Sequence, residues 1–97
     1  MEIKDKNKLK VGDVIRFHNW GVGGFLFGLI TECKEEERTH NTIHIWRARS
    51  HFSLNDVDAI TLIEKIEDVK GYESHDFQDF LNDIKSNNMK CNLALDF

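Results

Sequence analysis

The alternation of apolar and polar residues predicts a chain built mainly of short β-strands. The predicted strands cover residues 14–18, 25–33, 42–49 and 59–66, with a polar hairpin tip at 34–41 and one helical turn at 53–56. In the first strand Ile15 and Phe17 share one face, and polar residues share the other. The second strand begins apolar on both faces, which indicates that both are covered, and Gly28 within it indicates a bend or bulge.

A helical period follows the predicted strands. Four apolar residues fall at i, i+3, i+4 and i+7 and so share one stripe: Phe77, Phe80, Leu81 and Ile84. The stripe predicts an amphipathic helix over residues 74–88, capped at its start by the Ser74 side chain.

The C-terminal tail returns to strict alternation. Five apolar residues alternate with polar ones over residues 89–97, which predicts a strand. Since so many apolar side chains need a buried surface, we expect the tail to pair with an edge of this sheet or with another chain.

Length and composition fit one small soluble domain. The 97 residues are 40% apolar and 31% charged, and we assign residues 1–97 to a single domain. The charged N-terminus has no apolar segment behind it, and the longest apolar stretch, residues 21–30, is too short to span a bilayer. We therefore expect a cytoplasmic protein that does not bind membranes and keeps Cys33 and Cys91 reduced.

Charge is distributed unevenly along the chain. The net charge is −4, but residues 1–50 hold nine Lys or Arg against seven Asp or Glu, and residues 51–97 hold four against ten. A protein that binds nucleic acid with its whole surface would be basic, so the balance disfavours that function. A basic patch confined to the first half stays open.

The predicted strand order and the opening residues resemble a known small fold. Residues 11–17 and 24–30, Val-Gly-Asp-Val-Ile-Arg-Phe and Gly-Phe-Leu-Phe-Gly-Leu-Ile, are similar to the G-D-x-V-x-V and G-x-x-G-x-V run of KOW and other SH3-like barrels. In that family Gly and Asp form the turn into the first strand, and the later Gly lets the next strand bend. The resemblance covers residues 9–66. It implies an α+β fold, mainly β: a small SH3-like barrel of four to five antiparallel strands, followed here by a helix and a strand-like tail. The loop at residues 19–24 is longer than in KOW domains and contains Trp20, so the ribosomal and elongation-factor roles of that family do not carry over.

The glycine-rich loop does not fit a phosphate-binding motif. Phe25 and Leu26 follow the glycines where a P-loop needs Lys and Ser or Thr, and a strand follows where a dinucleotide-binding motif needs a helix. The loop is either a flexible barrel loop or a protein-binding loop that presents Trp20, Val22 and Phe25.

The predicted helix carries an acidic stripe beside its apolar one. Asp76, Asp79 and Asp83 fall at i, i+3 and i+7. The stripe is either a solvated face or a phosphate-mimicking, protein-binding surface that docks on a basic groove of a nucleic-acid-handling partner.

An alternative nucleic-acid surface is centred on the third predicted strand. Trp46 can stack on a base, while Arg16, Arg47 and Arg49 can contact phosphates. Because Trp46 and Arg47 alternate, one of them is expected to serve the core, and the competing interpretation places Trp46 there.

Neither metal binding nor catalysis is predicted. The five His and two Cys lack zinc-ligand spacing, and no nucleophile, base and oxyanion loop are recognisable together, so we expect no enzyme and no cofactor.

The resulting hypothesis is a non-enzymatic protein-interaction module. The Lys-, Ile- and Asn-rich, Pro-free composition favours a bacterial or phage origin, and an inhibitor or adaptor of a nucleic-acid-handling host protein is the specific form considered. The alternatives are an RNA- or single-stranded nucleic-acid-binding barrel and a subunit that self-associates through its tail.

Overall fold

The computed structural model of the chain describes residues 2–19, 21, 24–31, 44–47, 50–69, 71 and 73–93. Within these ranges the protein consists of five strands and one helix: β1 (Val14–Asn19), β2 (Gly24–Thr31), β3 (His44–Arg47), β4 (Ser50–Ser53), β5 (Val57–Leu62) and α1 (Glu73–Ser86).

The strands form one antiparallel sheet that curls into a half-barrel. The order is β4-β3-β2-β1-β5, and a short 3₁₀ helix, Leu54–Asp56, precedes the last strand. A four-stranded meander followed by a helical turn and a strand that returns to β1 is compatible with an SH3-like barrel. The predicted small α+β fold, mainly β, with a C-terminal helix, is confirmed at this level.

Two strand assignments differ from the sequence predictions. Residues 50–53 form β4, which the sequence did not predict because Ser-His-Phe-Ser contains one apolar residue and lacks alternation. The last strand ends at Leu62 rather than at residue 66, since Ile66–Asp68 form a 3₁₀ helix with an exposed Ile66.

The sheet buries apolar side chains on both of its faces. The inner face, opposite α1, carries the cluster Leu9, Ile15, Phe17, Ile30, Ile45, Leu54, Val57 and Ile60. The outer face is covered by α1 and carries Val14, Phe27, Leu29, Trp46 and Ile63, packed against Phe77, Phe80, Leu81, Ile84 and Leu93. This arrangement confirms the two-sided burial predicted for the second strand.

Close packing, rather than a bulge, requires the glycine at position 28. The pairing of β1 with β2 passes through Ile15 opposite Gly28 without a shift in register. A Cβ atom on Gly28 would overlap the Cγ2 atom of Ile45 and lie 2.7 Å from the Cε1 atom of Phe17. Of the predicted bend or bulge, the bulge is therefore wrong and the bend stays a prediction, and the glycine lets two core side chains meet over the strand.

The irregularity of the sheet lies in β5. Arg16 pairs with Thr61 and His18 pairs with Asp58, so β5 has one residue more than β1 in this interval. Ala59 in this interval has a φ of 49°, in the left-handed region that glycine prefers.

The N-terminal segment forms hydrogen bonds with the β5 side of the sheet. The Ile3 amide donates a hydrogen bond of 2.8 Å to the Ile60 carbonyl. The Lys6 ammonium group donates to the carbonyls of Leu54 and Val57, each at 2.8 Å. The ammonium group thus satisfies carbonyls at both ends of the 3₁₀ turn.

Helix α1 packs through the predicted apolar stripe. The Phe77 ring lies 4.9 Å from the Phe27 ring and the Phe80 ring lies 6.3 Å from the Trp46 ring, centroid to centroid. The helix begins at Glu73, and the Ser74 hydroxyl donates to the Gly71 carbonyl at 2.7 Å. Ser74 therefore lies in the first turn and is not the predicted cap.

The C-terminus of α1 closes with a Schellman motif. Asn88 has a φ of 52°, and its amide donates to the Lys85 carbonyl at 3.1 Å. The Met89 amide donates to the Ile84 carbonyl, also at 3.1 Å. These two bonds satisfy carbonyls that the helix end would leave unpaired, and they turn the chain back toward the sheet.

The described part of the tail does not form a strand. Residues 89–93 run across the turn before β1, and Leu93 is buried in the outer-face cluster. The Asn92 amide donates to the Gly12 carbonyl at 2.7 Å, and its side-chain Nδ2 donates to the Asp13 carboxylate at 2.8 Å. The strand prediction is wrong for this segment because side-chain hydrogen bonds hold it, and residues 94–97 lie outside the described ranges.

Candidate protein-binding groove

An open groove of about 960 Å³ separates α1 from part of the outer sheet face. Its sheet side is formed by Arg16, Phe25, Leu26, Phe27 and Arg47, and its helix side by Asp76, Asp79, Phe80, Asn82, Asp83 and Ser86. We call this feature the α1 groove. It has an apolar floor between two walls of opposite charge.

The helix wall is acidic. Asp76, Asp79 and Asp83 all line the groove, and the α-helical rise of about 1.5 Å per residue spreads them over about 10 Å. Asp79 lies 3.6 Å from His75, and the Asp83 carboxylate accepts a hydrogen bond of 3.2 Å from the Asn87 side chain. Both contacts are solvent-exposed, so the three carboxylates remain accessible to a ligand.

The floor is aromatic and only partly covered. Phe27 and Phe80 are each 8% exposed because the α1 aromatic rings pack onto the sheet there. Phe25, two residues earlier on the same face of β2, is 48% exposed. The Phe25 ring is therefore the largest apolar surface that the groove offers to another molecule.

The strand register fixes the surroundings of Phe25. Antiparallel pairing places Phe25 opposite His18, and the two rings meet edge to face at a centroid distance of 5.6 Å. The Arg16 guanidinium lies 3.8 Å from the centroid of the Phe25 ring, in a cation–π arrangement. His18 is in turn 3.1 Å from the Asp58 carboxylate on β5. These contacts hold the exposed ring in place before any ligand arrives.

The sheet wall is basic. Arg16 on β1 and Arg47 at the end of β3 both line the sheet side of the groove, one on each side of β2. A ligand in the groove thus meets carboxylates on one side and guanidinium groups on the other.

The groove joins residues that the sequence had assigned to two competing functions. The protein-binding candidates Phe25, Asp76, Asp79 and Asp83 share it with Arg16 and Arg47 from the nucleic-acid alternative. Trp20, Val22 and Arg49 lie outside the described residues, so their parts in these predictions stay untested.

Trp46 lies in the core. It is 6% exposed, and Phe80 packs against it, so a base could stack on it only if α1 moved away. This placement agrees with the interpretation that assigned Trp46 to the core.

Sequence reasoning missed the floor of the groove. Phe27 and Phe80 were identified as strand and helix residues, but nothing in the linear pattern shows that their edges border one cavity. The sequence pattern did not indicate that Asn82 and Ser86 would line the groove either. Their helical spacing relative to Asp79 and Asp83 is the one feature that could have placed them beside the acidic stripe.

The remaining reactive groups do not add a second site. In the described part of the chain, no three His, Cys, Asp or Glu side chains come close enough to hold a metal ion. Burial raises the pKa of the Cys91 thiol, and a backbone hydrogen bond at Leu93 opposes this effect only in part. The Cys91 thiol therefore stays protonated at neutral pH.

Comparison with known proteins gives no relative. The chain matches no protein-family model, no curated protein and no solved structure. None of the helices in the described ranges has the length and apolar character needed to cross a membrane.

Proposed function

We propose that this protein is a non-enzymatic protein-interaction module and that the α1 groove is its binding surface. The observation that carries the proposal is the exposed Phe25 ring in a groove of about 960 Å³ that three carboxylates border. Aromatic anchors in the centre of an interface contribute most to affinity, and charged residues at its rim steer association.

The shape of the surface defines how the partner docks. One of the two interpretations of the acidic stripe docks it on a basic groove of the partner. In the folded chain these carboxylates line a concavity instead. The partner must therefore supply a protruding segment that enters the α1 groove. A nucleic-acid-handling protein fits this proposal because such proteins carry basic surface segments.

The proposal extends to the class of fold. We regard the half-barrel as an SH3-like barrel, because β5 returns to β1 after a 3₁₀ turn and Gly12 and Asp13 form the turn into β1. Gly12 has a φ of 96°, which explains why glycine is needed there. Cytoplasmic location and the role of a bacterial or phage inhibitor or adaptor belong to the same proposal.

The proposal can be tested with a partner captured from lysate and then purified. We expect Phe25→Ala to raise the Kd measured by isothermal titration calorimetry about tenfold or more, since hot-spot aromatic residues contribute about 2 kcal/mol. Asp79→Asn should weaken binding less, and mainly at low salt.

A matched control is available outside the groove. Ile66 is 39% exposed and does not line the groove, so Ile66→Ala should leave the Kd unchanged. Equal losses for Phe25→Ala and Ile66→Ala, or no loss for Phe25→Ala, would disprove the groove as the binding surface.

Nucleic-acid binding is the second candidate, and one observation favours it: Arg16 and Arg47 line the same groove. Two observations oppose it. Trp46 is buried and so is not available to stack on a base, and the three carboxylates in the groove would repel phosphates. Tight binding of a labelled single-stranded RNA that Arg47→Ala abolishes and that falls steeply with salt would establish this candidate instead.

A further inference from the structure

We infer that the occupant of the α1 groove is an extended, cationic segment of a partner protein in which Lys or Arg residues alternate with apolar residues. This inference rests on the proposed function and specifies the chemistry of the partner.

The groove is too large to be filled by a single side chain. Its volume of about 960 Å³ lies near the upper end of the range of about 300–1,000 Å³ for small-molecule pockets. The floor of the groove is formed by Phe25, Phe27 and Phe80. A ligand that covers the floor must place apolar groups on it, because a polar group buried there would lose its bonds to water.

The acidic wall determines the charge of the segment. The carboxylates of Asp76, Asp79 and Asp83 extend over about 10 Å of helix. In an extended chain, the residues on one face repeat about every 6.6–6.8 Å. Two cationic side chains at positions i and i+2 can therefore each reach a carboxylate, while the residues between them face the other way.

The basic wall does not reverse this preference. Among the described residues that line the groove, three carboxylates outnumber two guanidinium groups, and the whole chain has a net charge of −4. The Arg16 guanidinium lies 3.8 Å from the centroid of the Phe25 ring, so it is positioned over that ring. Both the local and the overall field attract a cation.

The test uses the full chain and three fluorescein-labelled decapeptides. Each peptide alternates Leu or Phe with one other residue type, which is Lys, Gln or Glu, so that the peptides differ only in charge. We expect fluorescence anisotropy to show the Lys peptide binding at least fivefold more tightly than the Gln peptide, and the Glu peptide binding most weakly. NMR amide shifts induced by the Lys peptide should be centred on β2 and α1.

Two matched triple variants separate local charge from net charge. The first variant combines Asp76→Asn, Asp79→Asn and Asp83→Asn. It should weaken binding of the Lys peptide about tenfold and remove its advantage over the Gln peptide. The control removes three exposed carboxylates outside the groove by Glu2→Gln, Glu64→Gln and Glu67→Gln. It should change binding less than twofold.

Several outcomes would overturn the inference. These are equal binding of all three peptides, no binding of the Lys peptide, equal effects of the two triple variants, or tighter binding of a single-stranded RNA probe in the groove. If one of the first three occurs while Phe25→Ala still weakens the captured partner, the inference about partner chemistry fails and the proposed function stands. If Phe25→Ala has no effect on the partner, the proposed function fails and the inference fails with it.

Discussion

At the residue scale, the inner core can pack closely because Gly28 has no Cβ atom. The Phe17 and Ile45 side chains occupy the space that a Cβ atom would need. We expect Gly28→Ala to lower the free energy of unfolding by about 1–3 kcal/mol, as other overpacked core substitutions do, when measured by urea denaturation.

Gly24 on the same strand provides the control for this substitution. A Cβ atom there would meet no atom within 4 Å. Gly24→Ala should therefore change the stability by less than about 0.5 kcal/mol. If Gly28→Ala were equally harmless, the close approach of Phe17 and Ile45 over β2 would be contradicted.

At Ala59 the backbone conformation conflicts with the residue that adopts it. A left-handed φ of 49° costs an L-residue about 1–2 kcal/mol relative to glycine. We expect Ala59→Gly to raise the free energy of unfolding by about 1 kcal/mol, because relief of strain exceeds the added entropy of the unfolded chain.

The order of stabilities at position 59 distinguishes a bulge from an ordinary strand. A bulge predicts that the stability of the protein decreases in the order Gly, Asn, Ala, Val at position 59. At a regular strand position, Val would be more stable than Gly. Chemical denaturation of the four proteins gives this order directly, and a more stable Ala59→Val variant would rule out the left-handed conformation.

At the scale of elements, the tail and the turn before β1 stabilise each other. The Asn92 side chain donates to the Val11 carbonyl at 3.2 Å and to Asp13, which also accepts a hydrogen bond of 2.9 Å from the Lys10 amide. We expect Asn92→Ala to lower the free energy of unfolding by about 1 kcal/mol, since hydrogen bonds to a charged group are lost at a partly solvated site.

Lys90→Ala is the matched change in the same segment. Its side chain is exposed, so the stability should change by less than about 0.5 kcal/mol. Hydrogen exchange provides a second measurement, because Asn92→Ala should release protection at the amide of residue 92, which donates to the Gly12 carbonyl, and leave the β3 and β4 amides unaffected. Equal stability of the two variants would show that the Asn92 side chain does not stabilise the tail.

The elements show how far the sequence patterns reach. Alternation located β1 and β2, and the 3.6-residue period located α1, because each pattern arises within a single element. The same alternation wrongly predicted a strand over residues 89–93. A segment of alternating residues forms a strand only if an edge is free to pair with it, and here hydrogen bonds to the Gly12 and Asp13 turn take its place.

At the scale of the whole molecule, the groove is a product of topology. Phe25 and Asp79 are distant in sequence, yet both line one cavity because α1 packs across the outer face of β2. Residue types suggested charged and aromatic candidates, but they could not assign them to a common surface. The linear pattern also could not show that Trp46 and Phe80 would pack together and so withdraw Trp46 from the surface.

By itself, the sequence determined the class of fold, the positions of most elements, the stripe by which α1 packs, and the excess of carboxylates in the second half of the chain. These follow from the local periods of buried residues and from composition, both of which act over a few neighbouring positions. The tertiary structure alone decided that the acidic stripe faces a concavity, that Gly28 is needed for close packing, and that the described tail segment is tied to a turn rather than paired in the sheet. Those outcomes depend on which surfaces meet across long sequence separations, and packing geometry fixes that choice only when the whole core assembles.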